Sequence, residues 1–407
     1  MADRVAAVEQ FLTHRVSQVI DREELRRMLL EAERPLRAKI GFDPTSPDLH
    51  IGHAVLLERV RAWQDLGNVA VLVVGDTTAQ IGDPSARDAT RPMLSPEAVR
   101  ANAETYLAQF HMVVDRARTE IRWQSEWFDA FRLKEIFRLL SSLTLARLIE
   151  RDIFARRLSA GSPISMHETL YPFLQAYDSV AVAADVEMGG TDQTFNLLVG
   201  RDVQRDYGHP AQQVLTCDLL VGTDGAQKMS KSLGNAVGLT EGPYEQYAKV
   251  MSIPDELMDN WARLVTRWAE SEVEAMLAEV RSGALHAKAA KQRLAREVAA
   301  RWHGEAAAAQ AEEEWERSVA RGEGVSEPAV VSLGVEPEGV DLAELLVRAG
   351  LAASRAEVRR LLQQGGIRVD GVVEREPQRR FAPAESVEIR IGKRRAARLV
   401  LETAPTA

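Results

Sequence analysis

The sequence predicts an α/β chain: a doubly wound parallel sheet carrying a helical insertion, followed by an α-helical domain and a small α+β module. Three observations carry this. Strand-like and helix-like runs alternate through residues 36–221, residues 241–321 show helical periodicity with no convincing strand, and the last stretch combines two short helical patterns with a hairpin signal.

Residues 36–42 form a short, partly apolar run that ends in the turn Asp43-Pro44-Thr45-Ser46-Pro47-Asp48, and helical periodicity from Leu49 stops at Gly67. Residues 69–74 are continuously apolar and Val-rich, as expected of a strand buried on both faces. Strand, crossover helix and strand within about 40 residues imply parallel pairing. Ser95-Pro96 supplies an N-cap and an N1 proline for a helix reaching Phe110. Residues 127–161 read as a helical, Leu- and Phe-rich insertion between the sheet halves. The α/β rhythm resumes at residues 185–188, with Thr191-Asp192 as cap candidates for the next helix, and another apolar run spans 213–221. Clustered Gly and Pro mark residues 322–340 as a linker. Beyond it, Ser354-Arg355-Ala356-Glu357 reads as a capping box, and Asp370-Gly371 between apolar pairs as a hairpin turn. The expected domains are therefore residues 1–240, 241–321 and 341–407, with the linker between the last two.

Composition narrows the function. The 407 residues are 45% hydrophobic and contain one cysteine, Cys217, which rules out an intrachain disulfide and a cysteine-based metal cluster and fits a reducing, cytoplasmic compartment. The N-terminal stretch mixes charges with apolar residues, and no run is long and apolar enough to span a bilayer, so neither secretion nor membrane insertion is expected. The net charge of −9 argues against a protein that coats nucleic acid, but it hides an asymmetry: residues 341–407 hold 13 Lys plus Arg against 9 Asp plus Glu, so a net of +4 there leaves −13 for the body. Arg355, Arg359 and Arg360 on the second short helix, with Lys393, Arg394 and Arg395 after a late strand, read either as a solvated face or as a stripe for RNA phosphates; the charge asymmetry favours RNA.

Two segments carry chemistry. His50-Ile51-Gly52-His53 opens a helix, where unpaired N–H groups and the helix dipole favour an anion. Alone, the pair could be two surface histidines or a metal fragment, although no third ligand stands at metal-like spacing. Lys228-Met229-Ser230-Lys231-Ser232 lies in a glycine-flanked loop about 175 residues later. Two ammonium groups and two hydroxyls on a mobile loop suit a lid over a polyphosphate, since such cations can follow charge that moves between oxygens during reaction. Tyr171, Gln175 and Asp178 follow one another at helical spacing on one face, so Asp178 reads as part of a pocket or as a helix-surface residue.

Together, the histidine turn and the lysine loop resemble the two signatures of the class I aminoacyl-tRNA synthetases. Gly41-Phe42-Asp43-Pro44-Thr45, Ile81-Gly82-Asp83-Pro84-Ser85, Tyr171 with Gln175-Ala176-Tyr177-Asp178, and Gly189-Gly190-Thr191-Asp192-Gln193 resemble the tyrosyl-tRNA synthetases in particular, and the C-terminal module resembles a small RNA-binding fold shared with a ribosomal protein. The resemblance covers nearly the whole chain. It implies a Rossmann-like catalytic domain, an anticodon-binding helical domain, and a homodimer that uses Mg-ATP, L-tyrosine and tyrosine tRNA, with no tightly bound metal. It also implies roles. Asp178 would accept the tyrosine phenol, Tyr171, Gln175 and Asp83 would hold its ammonium, and Gln193 would lie near its carboxylate beside Gly41. His50, Gly52, His53, Asp43 and Thr45 would surround the ATP phosphates, with Asp192 at the ribose, Arg87 and Arg91 at pyrophosphate, and Lys228, Lys231 and Ser232 on the lid. One departure stands out: where many members have a tyrosine as second partner of the phenol, two residues before Gly41, this chain has Lys39.

Such a reaction needs no protein nucleophile, because the substrate carboxylate attacks the α-phosphorus and pyrophosphate leaves; the protein positions and neutralises. A tryptophanyl-tRNA synthetase shares the sheet and both signatures, but the segment ending in Asp178 and the basic tail speak against it. A synthetase-like RNA-binding protein would have no use for the lysine lid.

Overall fold

The computed structural model describes residues 2–45, 48–83, 95–149, 152–320, 329–336, 339–352, 354–376, 379–383, 385–392 and 395–403. The chain divides into two compact units, Met1–Ala308 and Ala309–Ala407.

The first unit is built on six strands: β1 (Gln18–Val19), β2 (Arg37–Phe42), β3 (Val69–Val74), β4 (Thr119–Trp123), β5 (Val186–Gly190) and β6 (Gln213–Cys217). Their order is β1-β6-β5-β2-β3-β4, with β2 to β6 parallel and β1 antiparallel at the edge. The chain runs outward from β2 through β3 to β4, then returns to lay β5 on the other side of β2. That reversal is where doubly wound sheets bind ligands, beyond the carboxyl ends of the strands. Here it is marked by a short ladder: β2 and β5 pair only at Ala38–Val186 and Lys39–Glu187, while β2 and β3 pair along six residues.

Each element follows from its residues. β3 is buried on both faces from Ala70 to Val74, as its Val-rich run requires. The helix Ile51–Asp65 crosses from β2 to β3 and packs back through Trp63, whose Nε1–H donates to Val69 O at 2.9 Å. Ser95 caps the helix Pro96–Phe110 by accepting from Ala98 N at 3.2 Å. Between β4 and β5, short helices including Leu133–Leu140, Leu145–Ile149 and Asp152–Ser159 pack Leu139, Leu148 and Phe154 against Phe173, Leu174 and Val199. The expected cap at Thr191-Asp192 is corrected: these residues form a 3-10 turn, Thr191–Gln193, the helix begins as Thr194–Asp206, and the Asp192 carboxylate turns to Lys228 instead of the helix N–H groups.

The helices Pro243–Met251, Met258–Val265, Glu270–Ser282 and Ala287–His303 belong to the same compact unit as the sheet. Trp261 ties them to the segment after β6 by donating to Val221 O at 3.0 Å, and Arg301 pairs with Glu58 on the Ile51–Asp65 helix.

The second unit holds β7 (Ala329–Val335), β8 (Val340–Asp341), β9 (Ile367–Val369), β10 (Val372–Val373), β11 (Arg380–Phe381), β12 (Ser386–Ile391) and β13 (Arg395–Thr403). Five form a sheet in the order β10-β9-β12-β13-β7, and β8 pairs with β11. The helices Leu342–Arg348 and Arg355–Gln363 bury Leu342, Leu345, Leu346, Val358 and Leu362 in a core with Ile367, Ile389 and Leu399. Ser354 accepts from Glu357 N at 3.2 Å, and Asp370 and Gly371 both have positive φ, at 49° and 81°, which is the geometry a two-residue hairpin demands. The stretch read as a linker needs correction: its Ala-Val-Val-Ser-Leu run is β7, parallel to β13, because alternation there outweighs the flanking glycines and prolines.

Candidate active site

A cleft of about 1170 Å³ opens at the carboxyl ends of the parallel strands. That exceeds the space one amino acid needs and suits two substrates side by side. Each strand delivers its residues just past its end: Asp43 after β2, Gly75 and Thr78 after β3, Gln124 after β4, Asp192 and Gln193 after β5, and Leu220 after β6. The helix Tyr171–Ala181 adds Tyr171, Gln175 and Asp178.

Asp178 lies deep in the cleft, 2% exposed. Its oxygens accept from Gln124 Nε2 at 2.8 Å and Trp127 Nε1 at 3.2 Å. Burial pushes its carboxyl up to about 7, against the pull of the Lys39 ammonium and these donors. Tyr171 donates its hydroxyl to Asp43 Oδ2 at 2.8 Å, and burial, reinforced by Asp43, holds that phenol well above its ordinary range. Thr78 Oγ1 donates to Asp43 Oδ1 at 2.7 Å, and a Cβ on Gly75 would lie 2.1 Å from that same oxygen, so only glycine fits there. Gln193 Nε2 donates to Asp83 at 2.8 Å, while Asn196 Nδ2 donates to both Gln175 Oε1 and Gln193 Oε1 at 2.9 Å. A side chain at Gly41 would meet nothing within 4 Å, so that position leaves the cleft floor open.

The histidine turn borders the other end. His50 is the residue before the helix and His53 its third position; the rings stack 3.8 Å apart, and His50 N–H donates to His53 Nδ1 at 3.2 Å. A Cβ on Gly52 would come within 2.9 Å of His50 Nδ1, which explains a glycine between the two rings. Burial, with the nearby lysines, lowers His53 to about 4 and places His50 well below its ordinary value, so both imidazoles are neutral at pH 7. Among the described residues His50 Nδ1 is buried without a hydrogen-bond partner.

The lysine loop is anchored by Met229 N–H to Leu220 O at 2.8 Å and by Asn235, whose side chain accepts from Ser230 N at 2.7 Å and donates to Asp224. Lys228 Nζ rests on Asp192 Oδ2 at 2.5 Å and Lys231 Nζ on Asp48 Oδ2 at 2.7 Å. The Lys231 contact, first among several influences, lowers the Asp48 carboxyl.

The structure thus brings together Gly41, Asp43, Thr45, Gly52, Asp83, Asp192, Gln193 and the two histidines with Tyr171, Gln175, Asp178 and Lys228. The backbone at Ser232 continues the lysine loop. Arg87 and Arg91 lie outside the described residues, as do Lys393 and Arg394. In the second unit Arg355, Arg359 and Arg360 are all exposed, and Arg355 also pairs with Glu344 and Asp341 at the surface. The backbone of Arg395 opens β13. Sequence reasoning missed Gln124, Trp127, Thr78, Asn196 and Asp48. No local pattern marks them, but the rule that sites form past the carboxyl ends of parallel strands singles out Gln124 and Thr78 once β3 and β4 are assigned.

Among known proteins, residues 31–320 match the family model of class I tRNA synthetases (W and Y), and residues 342–386 match that of the S4 domain. The chain belongs to the class I tRNA synthetases of this tryptophan and tyrosine group. Within it, a tyrosine–tRNA ligase of Dehalococcoides mccartyi is 47% identical over 97% of this chain and 98% of its own, and one of Deinococcus radiodurans is 47% identical over 97% and 96%. The fold matches a tyrosyl-tRNA synthetase of Archaeoglobus fulgidus complexed with L-tyrosine, with a TM-score of 0.60 and 22% identity over 76% of this chain and 99% of that one.

The raised Asp178 carboxyl predicts a signed effect on stability. Below pH 4 the group is protonated whether folded or unfolded; between about 4 and about 7 the unfolded chain releases the proton while the folded one keeps it, so its contribution is progressively lost as pH rises, and above 7 the loss is complete. The stability of Asp178→Asn relative to the wild type should therefore rise from pH 4 to pH 7 and then level off, by roughly 1 kcal/mol per pH unit within that window. Melting curves of both proteins across this range check it, and a difference that does not vary with pH would refute it.

Proposed function

We propose that this chain is a tyrosine–tRNA ligase: it joins tyrosine and ATP as tyrosyl-adenylate with release of pyrophosphate, then passes the tyrosyl group to the 3′-terminal ribose of its tRNA. The observation that carries the reading is a buried carboxylate, Asp178, held by two neutral donors at one end of a cleft whose other end presents a histidine turn and two lysines. An acceptor fixed in a recess closed to water favours a phenol over a benzene ring, because the phenol hydroxyl can donate to it and a phenylalanine offers it no donor; tyrosyl-tRNA synthetases are themselves the familiar instance of this discrimination.

The residues divide the work. Tyr171, Gln175 and Asp83 surround the place for the ammonium group, Gln193 lies toward the carboxylate, and Asp192 toward the ribose. The neutral imidazoles of His50 and His53 act as hydrogen-bonding groups for phosphate oxygens, and the unmet His50 Nδ1 supports a ligand at that point. Lys228 and Lys231 exchange their carboxylate partners for the phosphates, and Arg87 and Arg91 would add charge at the leaving pyrophosphate. Mg2+ would enter with ATP; among the described residues no group of three or more His, Cys, Asp and Glu stands ready to hold a metal. A cytoplasmic location accords with the single buried cysteine, Cys217, and cell fractionation would check it.

Amino-acid-dependent ATP–pyrophosphate exchange over the twenty amino acids tests the reaction. Tyrosine should stimulate it far above tryptophan or phenylalanine, Asp178→Ala should lose most of that preference, and Lys231→Ala should slow exchange by about 10²–10³-fold with little change in tyrosine affinity. Equal stimulation by tryptophan would sink the assignment.

The second unit is the tRNA-binding arm in this reading. Because β7 is part of its sheet, a clean truncation removes everything from residue 321 onward. The truncated protein should keep tyrosine-dependent exchange and charge tRNA poorly. Each arginine withdrawn from a phosphate should lower the slope of log affinity against log salt by roughly 0.7 to 0.9. Replacing Arg355, Arg359 and Arg360 by alanine should reproduce part of this; an unchanged salt slope would exclude the arm from binding.

The helical insertion supports a homodimer. Leu133, Phe137, Leu145 and Leu158 are large apolar side chains left exposed on its helices, the kind of surface a partner covers. Sedimentation should find a dimer and Phe137→Glu a monomer; a wild-type monomer would overturn this part.

A further inference from the structure

We propose that Lys39 is a positioning residue for tyrosine recognition: paired with Glu187 at the last rung of the β2–β5 ladder, it fastens the Tyr171–Ala181 helix to the sheet and supplies the cationic wall of the Asp178 pocket. The inference rests on the tyrosine reading of the cleft.

Lys39 is 0% exposed and Glu187 1%. The ammonium has three N–H donors, and three acceptors surround it: Gln175 O at 2.7 Å, Ser179 Oγ at 2.9 Å and Glu187 Oε1 at 2.8 Å. Two of its hydrogen bonds go to the helix and its charge is paired with Glu187, so Lys39 acts on the helix and not as a direct partner of the substrate. What it touches is the helix. Ser179 Oγ donates its own proton to Glu187 Oε2 at 3.2 Å, and Gln212 Nε2 donates to the same oxygen. Gln175 is gripped at both ends, its main-chain oxygen by Lys39 and its Nε2 by Glu187 Oε1 at 3.3 Å. With Asn196 on Oε1, this leaves the second Oε1 lone pair as the acceptor for an ammonium group. A buried ion pair persists only when its remaining donors and acceptors are met, and here they are.

The pair also sets the charge that Asp178 feels. Lys39 from β2 favours the carboxylate, while Glu187 from β5 opposes it. The other ionisable groups facing this region are Tyr171 on the same helix, Asp43 past β2 and Asp83 past the Thr78–Ile81 helix. Gln124 and Trp127, which touch Asp178 directly, are neutral. Lys39 is therefore the cation that keeps a fully buried carboxyl available as an acceptor near neutral pH.

The test is the pH dependence of tyrosine affinity, measured by equilibrium dialysis from about pH 5.5 to about pH 8 on the full chain. Affinity should fall on the acid side as Asp178 takes up a proton. In Lys39→Met that limb should move to higher pH by about one unit or more, since an adjacent opposite charge lowers a carboxyl by 1–3. In Glu187→Gln it should move to lower pH, and in Lys39→Arg it should stay near that of the wild type. Where Lys39→Met does not fold, the Lys39→Met/Glu187→Gln protein replaces it, its limb lying above that of Glu187→Gln alone. A purely structural pair weakens binding in both single variants without moving their limbs in opposite directions, and that result would overturn the proposal. Wild-type protein that binds no tyrosine overturns the functional reading itself; wild-type protein whose acid limb ignores Lys39 overturns only the positioning role.

Discussion

Two rungs of backbone pairing, Ala38 with Val186 and Lys39 with Glu187, are the constraint on which the molecule depends. They join the halves of a sheet whose strand order reverses at that point, and past them β2 and β5 have no further pairing with each other. A longer ladder would close the cleft; none would leave the halves unconnected. The second rung is also a buried ion pair, so the backbone junction and the strongest side-chain junction coincide. From it the Tyr171–Ala181 helix takes its place through Gln175 and Ser179, and the residues that would read an amino acid lie on that helix.

Among the described residues the cleft lining shows no paired nucleophile and base, and none is needed if the substrate's own carboxylate attacks. What remains is electrostatic, and burial assigns the parts. The same removal from water that raises Asp178 toward 7 lowers His53 to about 4, so one end offers a carboxyl balanced between its two forms and the other two neutral imidazoles. Positive charge is thereby left to two lysines whose ion pairs are partly exposed. A site built this way can gather an anionic nucleotide without fixing permanent cations inside its walls.

Much of this was legible in the sequence. The Val-rich β3, the Ser95 cap, the Asp370-Gly371 hairpin and the pairing of the histidine turn with the lysine loop are local patterns, and local rules suffice to read them. The misses share a different cause. Gln124, Trp127 and Asn196 reach the site only through the order in which strands are laid down, which no short window records. Lys39 looked like a departure from a pattern because a lone lysine in an apolar strand has no sequence partner; Glu187, 148 positions later, becomes its partner only when β5 lies beside β2. The 322–340 segment misled for the opposite reason: its glycines and prolines are genuine, but they flank a strand whose partner, β13, comes near the end of the chain.

The ion pairs of the site fall into two kinds, and exposure separates them. Lys228–Asp192 and Lys231–Asp48 are partly exposed, so their Coulomb attraction is screened and breaking them costs about 0–1 kcal/mol. Lys39–Glu187 is sealed, and removing either partner would leave an uncompensated charge at a cost of about 3–5 kcal/mol. A ligand's phosphates can therefore take the first two lysines from their carboxylates with little opposition, but no ligand can take the third. The same chemistry, an ammonium on a carboxylate, serves as an exchangeable rest position at the mouth of the cleft and as a permanent fastener beneath its floor.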